Sequence, residues 1–396
     1  MEHPPPSVFP DPASLPFLLM MNVLFSSPAL ACRALLLFVC FALSIQAQTV
    51  TWTAGSGTNF NWSDPANWSG PEPLLTTAVI FPTIPNPGSQ PTPGTLLLSL
   101  GELTQSLTFN ASGYTLNGGT LELAAPGSIT VTTAGHAATL NSVLTGASGL
   151  TKLGAGSLTL GGANDFTGTT RVLDGALTLA SGGSIGVASA TAGSLQIAER
   201  STASLTVQAG GGLRVGSGSG SFLHVGSRGN VAGSAGTIGT LDLSATTSFT
   251  ANVGQFYIGV GEVSASGFTR GIVHLATNNT ITAGTALIVG DMIPSLNNSD
   301  AAAGVSQLNF GAGASNVTTP LMIVGGSRSR GISTLAAGGT LTLNNGAGST
   351  TLHIGRNNVE NTGTVSEGTL DLGAGTFIAT LGEVIIGARV AGAQSN

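Results

Sequence analysis

The side chains of this sequence that are best suited to hold a ligand are three tryptophans near its beginning. Trp52, Trp62 and Trp68 are the only tryptophans of the 396-residue chain, and they lie close together in it. An exposed indole offers an apolar face on which a sugar ring can stack, so one interpretation is a glycan contact. The other is a cap over the open end of a repeat array, which terminal repeats must supply. We favour the cap.

Three histidines also sit where they could bind something. His224, His274 and His353 each lie between apolar residues in short alternating segments. A metal ion would need several such ligands to converge on one point. His224 and His353 lie four copies apart in the repeat described below, so they cannot share an ion within one chain. We therefore predict surface histidines and no metal site.

The remaining polar residues do not form a catalytic pattern. Glycoside hydrolysis needs two carboxylates about 5–9.5 Å apart, whereas the acidic residues here are scattered singly and Asp165 has no acidic neighbour. The run Gly216–Gly220 alternates glycine and serine, which is typical of a corner rather than of a nucleophile. The glycine pairs have no Lys-Ser/Thr after them, so no phosphate loop is indicated. We predict no catalytic residue, no cofactor and no enzymatic activity.

A unit of the form apolar-x-[Val/Ile]-Gly recurs six times after position 200 and organises this part of the chain. Successive copies follow one another at intervals of roughly 30 to 35 residues, and a period this nearly constant predicts stacked repeats. The segment 239–259 is also closely echoed at 368–387. The six copies are Leu223–Gly226, Phe256–Gly259, Leu287–Gly290, Met322–Gly325, Leu352–Gly355 and Val384–Gly387.

Short apolar alternations between glycine-rich corners predict brief strands. If each unit is one coil, equivalent strands stack about 4.8 Å apart in a parallel ladder, and glycine supplies the positive φ angles of tight corners. Strand alternation places the two apolar residues of each unit in the core and the middle residue outside. We therefore predict an all-β fold, a right-handed parallel β-helix of roughly 11 to 17 coils with an N-terminal β cap.

The segment 149–179 carries a more specific signal. It reads GLTKLGAGSLTLGGANDFTGTTRVLDGALTL and repeats an apolar-Thr-apolar triplet at Leu158–Leu160 and Leu177–Leu179. This sequence pattern resembles the autotransporter-associated β-strand repeat of bacterial surface and secreted proteins, although Thr167–Thr170 departs from the usual T-G-G-T-T. The resemblance covers only a small part of the chain. It implies a β-helical passenger and an export route, and it implies no activity.

The beginning of the chain, up to Gln48, has a different composition from the rest. Arg33 precedes the apolar stretch Ala34–Ile45, and Ala47 offers a small residue for cleavage. This order is that of a secretory signal peptide, and the stretch is too short for a comfortable membrane span. We predict a signal peptide at residues 1–47, with Met20 or Met21 as alternative starts. Both cysteines lie inside it, so the mature chain would have neither a disulfide nor a thiol.

Composition narrows the partners of the mature chain. Charged residues make up 7% of the sequence, the net charge is −6 and Lys152 is the single lysine. The basic patch of a nucleic-acid binder is therefore missing, while the 41% hydrophobic content argues against disorder. We expect no nucleic acid, no stable transmembrane segment in the mature chain, and contacts with surface glycans or other surface proteins.

These observations predict four regions and one leading function. Residues 1–47 would be the signal peptide, 48–95 the cap with a Pro-rich loop, 96–200 the first part of the β-helix, and 201–396 the six repeats. The leading function is a non-enzymatic, secreted or cell-surface adhesin-like stalk. The alternative is a carbohydrate-binding or polysaccharide-degrading β-helix. An uncapped last coil is expected either to continue in a longer passenger or to pair with a partner, including another copy.

Overall fold

The computed structural model describes residues 48–387, with internal gaps. The predicted signal peptide and positions 388–396 lie outside the described part, as does most of the Pro-rich loop. The gaps are residue 58, 84–93, 188–191, 228–235, 262–268, 293–303, 328, 357–365 and 374.

The described residues form β-strands with a single short 3-10 helix, Pro65–Asn67, which Asp64 caps by accepting a hydrogen bond from the Ala66 amide. No helix in the described ranges has the length and apolarity needed to cross a membrane. The first fifteen strands are β1 (Gln48–Thr51), β2 (Thr77–Phe81), β3 (Thr95–Leu97), β4 (Glu102–Phe109), β5 (Tyr114–Asn117), β6 (Thr120–Val131), β7 (Ala137–Leu140), β8 (Val143–Thr145), β9 (Leu150–Leu153), β10 (Ser157–Leu160), β11 (Ala163–Asn164), β12 (Thr170–Val172), β13 (Gly175–Leu179), β14 (Ser184–Ile185) and β15 (Leu195–Ile197).

The second half of the chain has longer strands. Several of them turn a corner and take part in two faces of the coil. They are β16 (Thr202–Val207), β17 (Gly212–Val225), β18 (Thr237–Asp242), β19 (Ser248–Gly261), β20 (Thr269–His274), β21 (Asn278–Met292), β22 (Ser306–Phe310), β23 (Ala314–Thr318), β24 (Leu321–Val324), β25 (Arg330–Leu335), β26 (Thr340–Asn344), β27 (Thr350–Ile354), β28 (Glu367–Asp371), β29 (Thr376–Ala379) and β30 (Leu381–Ile386).

The strands stack as coils of a parallel β-helix, as predicted. One ladder, the eleven-stranded sheet, runs from β3 to β28 through β5, β7, β10, β13, β16, β18, β20, β22 and β25. Every pairing between named strands is parallel, and Leu158 lies directly opposite Leu177 on the next coil. Eleven strands about 4.8 Å apart extend roughly 50 Å along the axis. Eleven stacked strands match the lower end of the predicted 11 to 17 coils.

Each repeat unit of the second half forms one coil. The last apolar residue of one copy pairs with the same residue of the next: Val225 with Ile258, and Ile258 with Val289. The six glycines that close the units all have positive φ, between 61° and 71°. A side chain at Gly226 would also overlap the carbonyl of Arg270 on a neighbouring coil. Glycine is therefore required both by the turn and by the close stacking of coils.

The long strands bend between two faces at a shift in register. In β19 the shift lies between Val253 and Gln255, and a side chain at Gly254 would collide with the Ser219 carbonyl. Residues before the bend therefore face one side of the coil and residues after it face another. This bend separates the two outer surfaces that are discussed below.

The core follows the predicted alternation. The flanking apolar residues of the repeat are fully buried in its first four copies, as for Leu223, Val225 and Leu287. The predicted exposure of the middle residues was wrong. Tyr257, Ile288 and Ile323 point away from the core, yet each is 5–6% exposed and they form a second apolar cluster with Val260 and Ala286.

Candidate functional site

The lysine of the 149–179 motif is a structural residue. Lys152 is fully buried, and its Nζ atom donates to the carbonyls of Leu153, Gly154 and Asp174 at 3.0, 2.7 and 3.0 Å. Burial lowers the pKa of Lys152 to about 8, against the opposing charge of Asp174. Its three N–H groups match three carbonyls at a corner where two coils meet, so the ammonium group satisfies backbone acceptors.

The asparagine of the same motif links three coils. Asn164 Oδ1 accepts from the Leu144 amide at 2.9 Å, while Nδ2 donates to the carbonyls of Gly162 and Ser184, each at 2.9 Å. Leu144 belongs to the preceding coil and Ser184 to the following one. Asn164 is 1% exposed, so its amide has no access to a ligand. Lys152 and Asn164 of the motif thus link adjacent coils by hydrogen bonds.

The three tryptophans form part of the core at the first coil. Trp52, Trp62 and Trp68 are 3%, 0% and 5% exposed. Trp68 packs edge-on against both of the others, with ring centroids 5.0 and 4.9 Å away. Its indole N–H donates to the Trp62 carbonyl at 2.7 Å. No sugar can reach the buried indole faces in this arrangement, so the packing favours the cap. Glycan contact by these residues stays a hypothesis.

His224 was predicted to be a surface histidine, but it is half-buried. It lies opposite Tyr257, which belongs to the second apolar cluster. Its ring stacks on Tyr257 of the next coil with centroids 5.0 Å apart and planes 1° apart. The Nε2 atom lies 3.1 Å from Gln255 Oε1. Burial lowers the pKa of His224 to about 4 despite this hydrogen bond. The imidazole is therefore neutral at physiological pH.

The other two histidines also have protein partners. His274 Nδ1 lies 3.2 Å from the Asn309 amide nitrogen on the next coil. His353 is 6% exposed, which again corrects the predicted exposure, and Arg356 Nη1 lies 2.8 Å from its Nε2 atom. Burial and the Arg356 charge lower the pKa of His353, while Glu383 opposes the shift. Across the described ranges no three His, Cys, Asp or Glu side chains converge as a metal site would require.

The fold brings together two carboxyl groups, those of Glu72 and Glu102, which no pattern in the sequence pairs. The pKa of Glu72 is raised by burial, and further by the charge of Glu102 and a hydrogen bond with that carboxyl. Glu102 is itself 6% exposed and accepts from the Ser99 amide at 3.1 Å. Carboxyl groups that share a hydrogen bond are closer than the separation at which a sugar and its nucleophile fit between them. The pair therefore does not favour a glycoside hydrolase.

The described surface includes an open cavity of about 460 Å³ between two coils. Arg214, Thr246, Ser248 and Thr250 are among its lining residues, and none of the described lining residues is acidic. Acid–base chemistry on a sugar needs at least one carboxyl group at such a place. The cavity therefore offers hydroxyl groups and one guanidinium group but no hydrolytic centre.

One ordered polar surface is a sheet face in the second half of the chain. We call it the threonine–asparagine face. It consists of the outward residues of the first half of β19, the first half of β21, and of β23, β26 and β29 with Thr380. These are Ser248, Thr250 and Asn252; Asn278, Thr280 and Thr282; Ala314, Asn316 and Thr318; Thr340, Thr342 and Asn344; and Thr376, Ile378 and Thr380.

Comparison with known proteins finds a passenger repeat in one segment of this parallel β-helix. Residues 150–179 match the family described as the passenger-associated-transport-repeat. Over 99 residues the chain is 43% identical to a protein of Brucella suis biovar 1 (strain 1330) named adhesin BmaC autotransporter. The match covers 24% of this chain and 3% of that protein. No solved structure matches. The predicted resemblance is confirmed: the chain carries an autotransporter passenger repeat.

Proposed function

We propose that this chain is a β-helical segment of a surface-exposed, adhesin-like passenger, and that it has no enzymatic activity of its own. The 99-residue similarity to a protein named as an autotransporter adhesin carries this proposal. Because the match spans 3% of that protein, adhesion by this chain is an inference from one segment. Secretion to the cell surface belongs to the same proposal.

The use of the motif's polar residues supports a structural role. Lys152 and Asn164 are the motif side chains with the richest chemistry, and both use their hydrogen-bonding capacity on backbone groups of their own coil and of adjacent coils. Buried polar groups that are fully satisfied in this way rigidify a structure. A stack of coils held by such links suits a rod that presents a surface at a distance from the cell.

The outer surfaces support contact rather than catalysis. Six threonines of successive coils form one outward column on the eleven-stranded sheet. They are Thr95, Thr115, Thr139, Thr159, Thr178 and Thr206. Such columns repeat weak hydrogen-bonding groups along a rigid axis. Repetition of weak contacts gives avidity without any single strong site.

Beads coated with the purified chain test the proposal directly. We expect them to adhere to cultured epithelial cells more than beads coated with albumin. Thr178 and Leu177 are neighbours on β13, one pointing outward and the other fully buried. Leu177→Asp places a charge in the core and should abolish adhesion together with folding, whereas Thr178→Asp should keep the fold and weaken adhesion only in part, because it alters one contact of the column.

Two results would overturn the proposal. One is adhesion no greater than that of albumin by a chain whose circular dichroism shows folded β-structure. The other is release of reducing ends from any polysaccharide by the purified chain, which would establish an enzyme.

A further inference from the structure

The threonine–asparagine face is a regular grid of hydrogen-bonding groups. Thr250 lies opposite Thr280, Thr280 opposite Asn316, and Asn316 opposite Thr342 on successive coils. Rows are therefore about 4.8 Å apart, and the three outward columns are about 6.6 Å apart because outward residues alternate along each strand. The chain thus holds fifteen side chains in a fixed two-dimensional array.

The grid is uncharged, and nine of its fifteen residues are exposed while the other six are half-buried. Eight of its fifteen residues are threonine, four are asparagine and one is serine, and none carries a charge. Thr250, Thr280 and Asn316 of the central column are all exposed. The inner partners of these strands, such as Ile281 and Val317, are at most 1% exposed and anchor the face to the core. The strands that carry the hydroxyl and amide groups are therefore held in place before any ligand arrives.

Several classes of ligand fit this surface poorly. A small molecule needs a concave site that surrounds it, and the face borders one only at its first row, where Ser248 and Thr250 line the open cavity beside Arg214. A nucleic acid or other polyanion would need several cations. A stable protein partner needs about 800 Å² on each side and aromatic or arginine anchors, whereas five rows and three columns cover roughly 500 Å².

A ligand that repeats in two dimensions fits the surface well. Each hydroxyl–hydroxyl contact contributes little on its own because water competes for both groups. Contacts that form together on a rigid grid do not pay the ordering cost separately, so a ligand with its own regular array of hydroxyl groups gains avidity. Bundled chains of a neutral polysaccharide present such an array.

We propose that the threonine–asparagine face binds the surface of an insoluble, uncharged polysaccharide whose chains lie side by side. The inference rests on the proposed adhesive function and names its ligand class. Threonine hydroxyl groups would donate to and accept from sugar hydroxyl groups, and threonine methyl groups would pack on the apolar faces of the rings. The central column consists of Thr250, Thr280, Asn316, Thr342 and Ile378, and its four polar residues would make the largest share of these contacts.

The test is depletion of the full chain from solution by microcrystalline cellulose and by powdered chitin. We expect binding to at least one of them and at least tenfold weaker binding to a soluble five-sugar fragment of the same polymer, since a fragment covers few grid positions. Thr280→Lys, which puts a long charged side chain in the middle of the face, should weaken binding about tenfold. The double variant Thr280→Val and Thr342→Val removes two hydroxyl groups while keeping shape, and should weaken it by about threefold.

Thr240→Lys is the matched control. Thr240 points outward from β18 on the eleven-stranded sheet, in the coil that also contains Thr250. The control should bind within twofold of the unaltered chain, and both lysine variants should keep the same unfolding midpoint.

Three outcomes would overturn the proposal: no binding to either solid, equal binding by the Thr280→Lys variant, or binding to the soluble fragment as tight as to the solid. Adsorption to ice crystals with no adsorption to polysaccharide would also overturn it, since ice is another periodic, uncharged surface. If coated beads adhere to cells while both solids fail to bind, only this inference fails and the adhesive function stands.

Discussion

Two outer surfaces of the same coils follow the same strand alternation and yet have opposite character. Before the bend in β21, the outward Thr280 is exposed, whereas after the bend the outward Ile288 is 5% exposed and packs with Tyr257 and Ile323. The first surface is the threonine–asparagine face, and we call the second the apolar stripe. An outward position in a β-helix strand is therefore not the same as an exposed one. The type of residue that repeats there shows which surface is which.

The largest expected effect comes from placing the same side chain on both surfaces of one strand. Ile288→Asn puts an amide into the apolar stripe, where the surrounding apolar side chains cannot replace its hydrogen bonds to water. We expect the free energy of unfolding to fall by about 3 kcal/mol. Thr280→Asn should change it by less than about 0.5 kcal/mol, because an exposed polar group replaces another. Urea unfolding followed by circular dichroism measures both, and equal effects would refute the distinction between the surfaces.

A smaller effect is expected from pH, through the histidine at one end of the stripe. The pKa of His224 is about 4 in the folded chain against 6.5 for an unperturbed histidine. Between these pH values His224 is protonated in the unfolded chain but not in the folded chain. The free energy of unfolding therefore falls as the pH drops from about 6.5 to 4. We expect the loss to reach about 2 kcal/mol, less than the full shift implies because His224 is partly exposed.

The difference between the unaltered chain and His224→Gln isolates this contribution from that of the other titrating groups. Unfolding midpoints at pH 7 and pH 4.5 give the comparison. A His224→Gln variant that loses as much stability on acidification as the unaltered chain would show that His224 does not titrate in this way.

A double-mutant cycle measures the interaction energy between His224 and Tyr257, which are neighbours on successive coils. The His224 and Tyr257 rings are parallel and 5.0 Å apart. Replacing each by leucine, singly and together, should reveal a coupling of about 1 kcal/mol, as for other stacked rings. Additive losses would mean that burial alone, and not the stacked geometry, holds the two residues.

The smallest effect is expected at a polar outer position on the eleven-stranded sheet. Thr334 Oγ1 donates to Asn309 Oδ1 on the preceding coil at 2.8 Å, and both residues are half-buried. Thr334→Val should lower the free energy of unfolding by about 0.5 kcal/mol, because water can replace much of this bond. Thr159→Val, in an outward column of the same sheet, serves as the comparison and should be close to neutral. If Thr334→Val lowered the free energy of unfolding as much as Ile288→Asn, hydrogen bonds between polar outward residues would also stabilise the fold strongly.

The sequence predicted the coil because period and corner chemistry are local properties. The spacing of Gly226, Gly259 and Gly290 marked the repeat, and the positive φ at each of them is the turn that only glycine adopts without strain. The alternation around them identified the core residues, and the 149–179 motif identified the passenger repeat. These features are present in any single coil read along the chain.

The roles of the polar residues could be decided only by the stacking of coils. The sequence around Lys152 and Asn164 does not reveal their partners, because some of these lie on adjacent coils, such as Asp174 and Ser184. The exposure of Ile288 and the grid around Thr280 likewise depend on what stacks above and below. Local pattern determines the coil, whereas contacts between coils determine which outward residues meet water, because burial is a property of neighbours that lie far apart in the chain.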